Sequence, residues 1–168
     1  MTGKKGEASG TPALRVLRDL SIAHTVHAYE HIDGETAFGV EAVAALRAGG
    51  VDIDADRVFK TLLADVDGRL VVAVVPVGRM LDLKALASAV DGKRAALADP
   101  VRAQRSSGYV LGGISPLGQR TTLETVLDVA ARGLPTLFVS AGRRGMQVEL
   151  APTDLMRATD GRWAAVAR

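Results

Sequence analysis

The chain has 168 residues, 48% of them hydrophobic and 24% charged, with a formal charge of +2; this suits one domain with its own core and excludes a disordered or fibrous chain. It contains no cysteine, which excludes disulfides, thiolate metal sites and a cysteine nucleophile and fits a cytoplasmic protein. The strongest apolar window, Leu70 to Val77, is strand-sized and contains Pro76, so neither a membrane span nor a membrane partner is expected.

Met1 to Thr11 is small, polar and glycine-rich, without the apolar stretch of a signal peptide, and reads as a flexible tail ahead of a single domain at 12–168. Thr11-Pro12 is a helix-start signal, and Leu14, Val16, Leu17 and Leu20 supply the apolar face. His24 to Glu30 alternates as a strand. Thr36 to Leu46 has helical spacing, stopped by Gly49-Gly50. In Val58 to Val77, Asp67-Gly68 between two β-rich runs is the strongest hairpin signal in the chain.

Leu81 to Val90 reads as a helix ending before Asp91-Gly92, followed by a short strand at KRAAL. Asp99-Pro100 opens a brief helix through Gln104. Thr121 to Gly133 is two-sided: the apolar residues at 123, 126, 127 and 130 favour a helix, the threonines and valines a strand. LPTLFVSAG and MQVEL read as strands, Pro152-Thr153-Asp154 starts a short helix, and RWAAVA closes a sheet. The expected fold is mixed α/β of the α+β kind, with a largely antiparallel sheet and short helices, and no internal repeat.

The stretch GYVLGGISPLG, residues 108–118, is where backbone N–H groups could cradle an oxyanion or phosphate, although glycines also serve merely to relieve a tight connection. Neither dinucleotide nor P-loop spacing is present, and Ser115 lacks the flanks of a nucleophile elbow, so it contacts a ligand or its own loop. Lys60, between apolar residues, faces either solvent or a pocket; Thr61 points to the opposite face of a regular strand, so both reach one pocket only at a twist or bulge. His24, His27 and His31 have metal-like spacing only on a helix, and Asp65, Asp67 and Asp82 fall at turns and caps. Arg143-Arg144 forms a basic turn that could meet a phosphate.

FKTLL at Phe59 to Leu63, DLKAL, the block from Ala98 to Gly118 ending in GGISPLG, and VSAGRRG at Val139 to Gly145 resemble the YbaK/EbsC family, as do YEH at Tyr29 to His31 and TAFG at Thr36 to Gly39. These are trans-editing deacylases similar to the insertion domain of bacterial prolyl-tRNA synthetase. The resemblance implies a curved, partly barrel-like sheet flanked by helices, and an enzyme needing no cofactor or metal. Its implied partners are aminoacyl-tRNA, through the acceptor end of tRNA(Pro), and prolyl-tRNA synthetase.

The branch it most resembles clears cysteine from tRNA(Pro), or from tRNA(Cys), by attack of the substrate's own thiol. The alternatives are water-driven deacylation of Ala-tRNA(Pro) and a non-catalytic aminoacyl-tRNA or nucleotide-binding module. Lys60 matches the family's functional lysine, with Gly112 and Gly113 as implied N–H donors. Tyr29, Thr61, Ile114, Ser115, Pro116, Ser140 and Gly142 match pocket segments, and Arg102, Arg105, Arg143 and Arg144 become tRNA phosphate contacts. Gln147 stands where that branch often has an acidic residue, which bears on the choice of amino acid.

Overall fold

A computed structural model describes residues 10–168. Residues 1–9 of the expected tail lie outside it. Thr11, placed at the tail's end by sequence, is instead a fixed residue: its Oγ1 accepts from Leu14 N–H and donates to the Ala141 carbonyl at 2.7 Å. The helices are α1 (Pro12–Asp19), α2 (Phe38–Ala48), α3 (Leu83–Ala89), α4 (Pro100–Ser107) and α5 (Pro152–Thr159). The strands are β1 (Thr25–Ala28), β2 (Phe59–Val66), β3 (Arg69–Pro76), β4 (Ala95–Leu97), β5 (Thr125–Asp128), β6 (Leu137–Arg143), β7 (Met146–Leu150) and β8 (Arg162–Ala164).

The strands form two sheets. One is antiparallel, in the order β1-β7-β6; the other runs β4-β2-β3-β5-β8 and is mixed, with β5 parallel to both β3 and β8. A parallel bridge between Val58 and Phe138 joins them, so the expected curved sheet is two sheets meeting at one point and not closed into a barrel.

Local chemistry accounts for most element ends. Asp67 and Gly68 both take positive φ, 51° and 93°, the requirement of the two-residue turn that joins β2 to β3. Side chains of Asp82 and Asp99 cap α3 and α4 by accepting from Ala85 and Arg102 N–H. The helix begun at Pro100 runs past Gln104 to Ser107, where Gly108 at φ 80° ends it.

The ambiguous stretch resolves as a strand, β5, buried at all four residues and followed by a short 3-10 turn, Val129–Ala131. A strand covered on both faces carries adjacent apolar residues, and that run imitates helical spacing. Strand β3 shows the same effect: Val72 and Val74 pack with Leu14, Leu17 and Leu137 on one side, while Val71, Ala73 and Val75 pack with Leu86 and Val90 on the other. Asp128, 2% exposed, fixes the C-terminal strand by accepting from Val166 and Ala167 N–H at 2.8 and 2.9 Å and from Ala130 N–H at 2.9 Å.

Candidate active site

A cavity of about 420 Å3, lined mostly by apolar groups, opens where the sheets part. Beyond the Val58–Phe138 bridge, β4 pairs β2 only over Ala64–Val66, so no described strand covers the edge of Phe59–Leu62. In the ladder with β3 the even residues of β2 turn their backbone groups inward, as the bond from Val77 N–H to the Val58 carbonyl shows. The backbone of Thr61 therefore faces the open edge. The first turn of α2 with Thr36 and Ala37 before it, Leu111, Gly112, Ile114, Ser140 and Gln147 complete the wall.

Lys60 and Thr61 both line this cavity although the β2–β3 register is unbroken. Neither twist nor bulge is needed, because a cavity on a strand's edge is bordered by side chains of both faces. Lys60 is the one charged residue in the lining, and no ion pair among the described residues includes it. Burial pushes its ammonium below the ordinary lysine range.

Two oxygens of the wall, Thr61 Oγ1 and Gln147 Oε1, are buried without a hydrogen-bond partner among the described residues. Such atoms are costly unless a ligand satisfies them. Gln147 is 7% exposed and lies beside the Tyr29 hydroxyl, whose pKa burial pushes up. Tyr29 thus stands behind the wall, not in it as the sequence implied, because its backbone is tied to the β6–β7 turn through its N–H to the Gly145 carbonyl at 2.8 Å.

The glycine loop divides. Gly112 and Ile114 border the cavity, and neither N–H has an acceptor among the described residues. Gly113 does not: its N–H donates to the Val110 carbonyl at 2.9 Å, and a Cβ on it would meet the Arg143 Cα at 2.8 Å. Ser115 is fully buried, with Oγ accepting from Leu117 N–H, and Pro116 borders a second, smaller cavity on the far side. Both therefore hold the loop and do not reach the first cavity.

Ser140 lines the cavity and accepts from Gly142 N–H at 3.3 Å. Gly142 itself is turned away: at φ 108° in the irregular stretch of β6, a Cβ there would meet Tyr109 and Thr11. Of the arginines, Arg102 is committed to the Asp65 carboxylate and the Gly68 carbonyl, which draws it into the hairpin turn. Arg105 and Arg143 are exposed, and Arg144 donates its Nε to the Leu111 carbonyl at 2.7 Å.

Sequence reasoning missed Phe38, whose ring sits where a Cβ on Gly112 would be, 2.4 Å from its nearest carbon, and Gln104, which accepts from Leu111 N–H. Only the TAFG stretch pointed to Phe38. The histidines are dispersed: His27 pairs with Glu149, His31 with Glu41, and His24 with the Ile22 carbonyl, so no imidazole reaches Ser140. Among the described residues no cluster of His, Cys, Asp or Glu could hold a metal ion. No described helix is long and apolar enough to cross a membrane.

The Aminoacyl-tRNA editing domain family matches residues 35–158. A protein of Enterococcus faecalis assigned as the Cys-tRNA(Pro)/Cys-tRNA(Cys) deacylase EbsC is 34% identical over 165 residues, covering 97% of this chain and 96% of its own. Two solved structures share the fold. One, of a protein assigned as a trans-editing enzyme for prolyl tRNA synthetase, has a TM-score of 0.80 at 21% identity, with 98% of each chain covered. The hypothetical protein APE2540 has a TM-score of 0.81 at 19% identity, covering 94% of this chain and 99% of its own. With the family matched over most of its length, this chain belongs to the aminoacyl-tRNA editing domain family.

Proposed function

We propose that the protein is a trans-editing deacylase that clears cysteine from tRNA(Pro), with the cavity at the edge of β2 as its active site. The observation that carries this reading is the wall's inventory. Among the described residues it offers one unpaired cation, Lys60, two unpartnered oxygens, Thr61 Oγ1 and Gln147 Oε1, and unaccepted N–H groups at Gly112 and Ile114, but no histidine or carboxylate. Such a wall binds, orients and stabilises negative charge; it has no imidazole or carboxylate to activate one of its hydroxyls as a nucleophile. A volume of about 420 Å3 lies in the lower part of the roughly 300–1,000 Å3 usual for small-ligand sites.

A cysteinyl ester brings its own nucleophile. The substrate Sγ attacks its carbonyl carbon, the C–S bond forms as the ester C–O bond breaks, and the thiol proton passes to the departing ribose oxygen. Cysteine leaves as a cyclic thioester that water then opens. Lys60 supplies positive charge as the carbonyl oxygen becomes an oxyanion, and Gly112 N–H donates to it. Aminoacyl-tRNA is the partner, with weak phosphate contacts from Arg105 and Arg143; tRNA(Pro) specificity borrowed from prolyl-tRNA synthetase and a cytoplasmic location follow from the same reading.

The test is single-turnover deacylation of Cys-tRNA(Pro) beside Ala-tRNA(Pro), with wild type and Lys60→Ala. The expected result is loss of cysteine only, slowed about 100-fold in the variant. Loss of alanine alone moves the assignment to a water-driven deacylase, and binding without turnover of either leaves a binding module.

A further inference from the structure

Arg144 stands in the two-residue connection between β6 and β7, with its guanidinium 5.2 Å from the centre of the Phe38 ring. Its Nε donates to the Leu111 carbonyl at 2.7 Å, while Leu111 N–H donates to Gln104 Oε1 at 2.9 Å. Leu111 is thus gripped on both sides. The Leu111–Gly112 peptide is also the central peptide of a tight turn, closed by Gly113 N–H on the Val110 carbonyl at 2.9 Å.

Gly112 has φ 81°, the sign that a type II turn takes at its third position. A type I turn differs from it chiefly by a flip of that one peptide, and the flip reverses the direction of Gly112 N–H. In a trans peptide the N–H points opposite to the C=O. With the Leu111 carbonyl drawn toward Arg144, which is not part of the cavity wall, Gly112 N–H points away from that arginine and stays free of any described acceptor at the border of the cavity.

We propose that Arg144 is a positioning residue: by holding the Leu111 carbonyl it selects the turn state that presents Gly112 N–H to the oxyanion. The proposal rests on the deacylase reading of the cavity and replaces the phosphate-contact role that the sequence implied for this arginine. The two roles act on different quantities. Loss of a phosphate contact lowers tRNA affinity and its salt dependence, whereas loss of a positioning residue lowers the rate of bound substrate. Arg144→Lys separates them, because lysine keeps the charge but cannot lie flat on Phe38 while fixing an N–H on Leu111.

Three readouts on wild type, Arg144→Lys and Arg144→Ala test it: single-turnover deacylation of Cys-tRNA(Pro) at saturating enzyme, anisotropy of fluorescent deacylated tRNA(Pro) across salt, and the amide resonance of Gly112. Both variants are expected to slow deacylation by about tenfold or more, to leave Kd within about twofold, and to shift the Gly112 resonance. A lysine variant at the wild-type rate, a weakened Kd with an unchanged rate, or an unmoved Gly112 resonance overturns the proposal. Wild type that binds tRNA(Pro) without deacylating it overturns the deacylase reading and the oxyanion role together. The Gly112 resonance then still reports whether Arg144 holds the turn.

Discussion

Alanine at Gly112 and alanine at Gly118 distinguish a loop that works from a loop that merely holds. Both glycines have positive φ, 81° and 64°, so either substitution places an L side chain in left-handed backbone at a cost of about 1–2 kcal/mol. The contacts differ. A Cβ on Gly118 meets the Pro12 carbonyl carbon and oxygen at 2.6 Å, backbone at the start of α1 that cannot step aside, and overpacking adds about 1–3 kcal/mol. The sum, about 2–5 kcal/mol, corresponds to a fall in Tm of roughly 4–20 °C for a chain of this length. A Cβ on Gly112 instead meets the Phe38 ring at 2.4 Å, and that half-buried ring can swing into the cavity. Gly112→Ala then lowers Tm by only roughly 2–8 °C. Its single-turnover rate falls about 100-fold, since the ring fills the site and the N–H is displaced. Thermal melts by circular dichroism beside deacylation of Cys-tRNA(Pro) decide the matter. A Gly112→Ala protein with wild-type rate, or a Gly118→Ala protein with unchanged Tm, refutes the division of the loop.

Lys60 carries a dependence on pH. Its lowered pKa means that burial penalises the charged form in the fold, fully below the folded pKa, and that stability rises as pH climbs between the folded and the ordinary lysine values. Lys60→Met removes the penalty and raises Tm at neutral pH, a gain that fades above the lysine range while activity is lost. In wild type the deacylation rate falls as pH passes the lowered pKa, measured across a pH series of single turnovers; a plateau through the lysine range speaks against a charged Lys60 in the mechanism. Asp128→Ala strands the N–H groups of Ala130, Val166 and Ala167 and costs about 3–5 kcal/mol, read from urea unfolding. A loss under about 1 kcal/mol shows that water replaces the carboxylate.

What the sequence disclosed was local. Thr11, Asp67-Gly68, Asp82 and Asp99 act on backbone within a few residues of themselves, so their types and spacing name the turn or cap they make. Lys60 was recognisable as an apolar-flanked cation, and the aliphatic run of β3 as a strand. The loop GGISP was recognisable only as a unit. Which of its residues face the cavity depends on one turn's peptide orientation, fixed by Gln104 and Arg144 from either side. Asp65 and Arg102 form a pair across 37 positions, and Asp128 reaches Val166 across 38, separations at which neither periodicity nor composition carries a signal. The strand β5 was obscured for a related reason: burial on both faces erases the alternation that marks a strand.

On the proposed reading, a wall whose described residues include no histidine or carboxylate base is also what lets a small, mostly apolar cavity be selective. Alanine differs from cysteine by one sulfur, and a hydrophobic pocket discriminates between ligands that differ by one heavy atom by only about 10–200-fold. Fit alone cannot separate the two, and it certainly cannot be relied on when both are smaller than the ring of proline. A site that supplies charge stabilisation but no imidazole base, the chain's three histidines being tied to Glu149, Glu41 and a backbone carbonyl away from it, makes reactivity the criterion instead of size. A bound alanyl ester has no side-chain nucleophile to offer and stays intact however well it fits. The same logic protects the correct product, because the proline ester also brings no thiol. Ser-tRNA(Pro) is the sharp case: its side chain matches cysteine in shape, but its hydroxyl is a far weaker nucleophile at neutral pH. Slow turnover of the seryl ester with affinity near that of the cysteinyl ester places selectivity in the chemistry. Equal turnover of the two means that the wall activates water after all, and that a base must be sought in it.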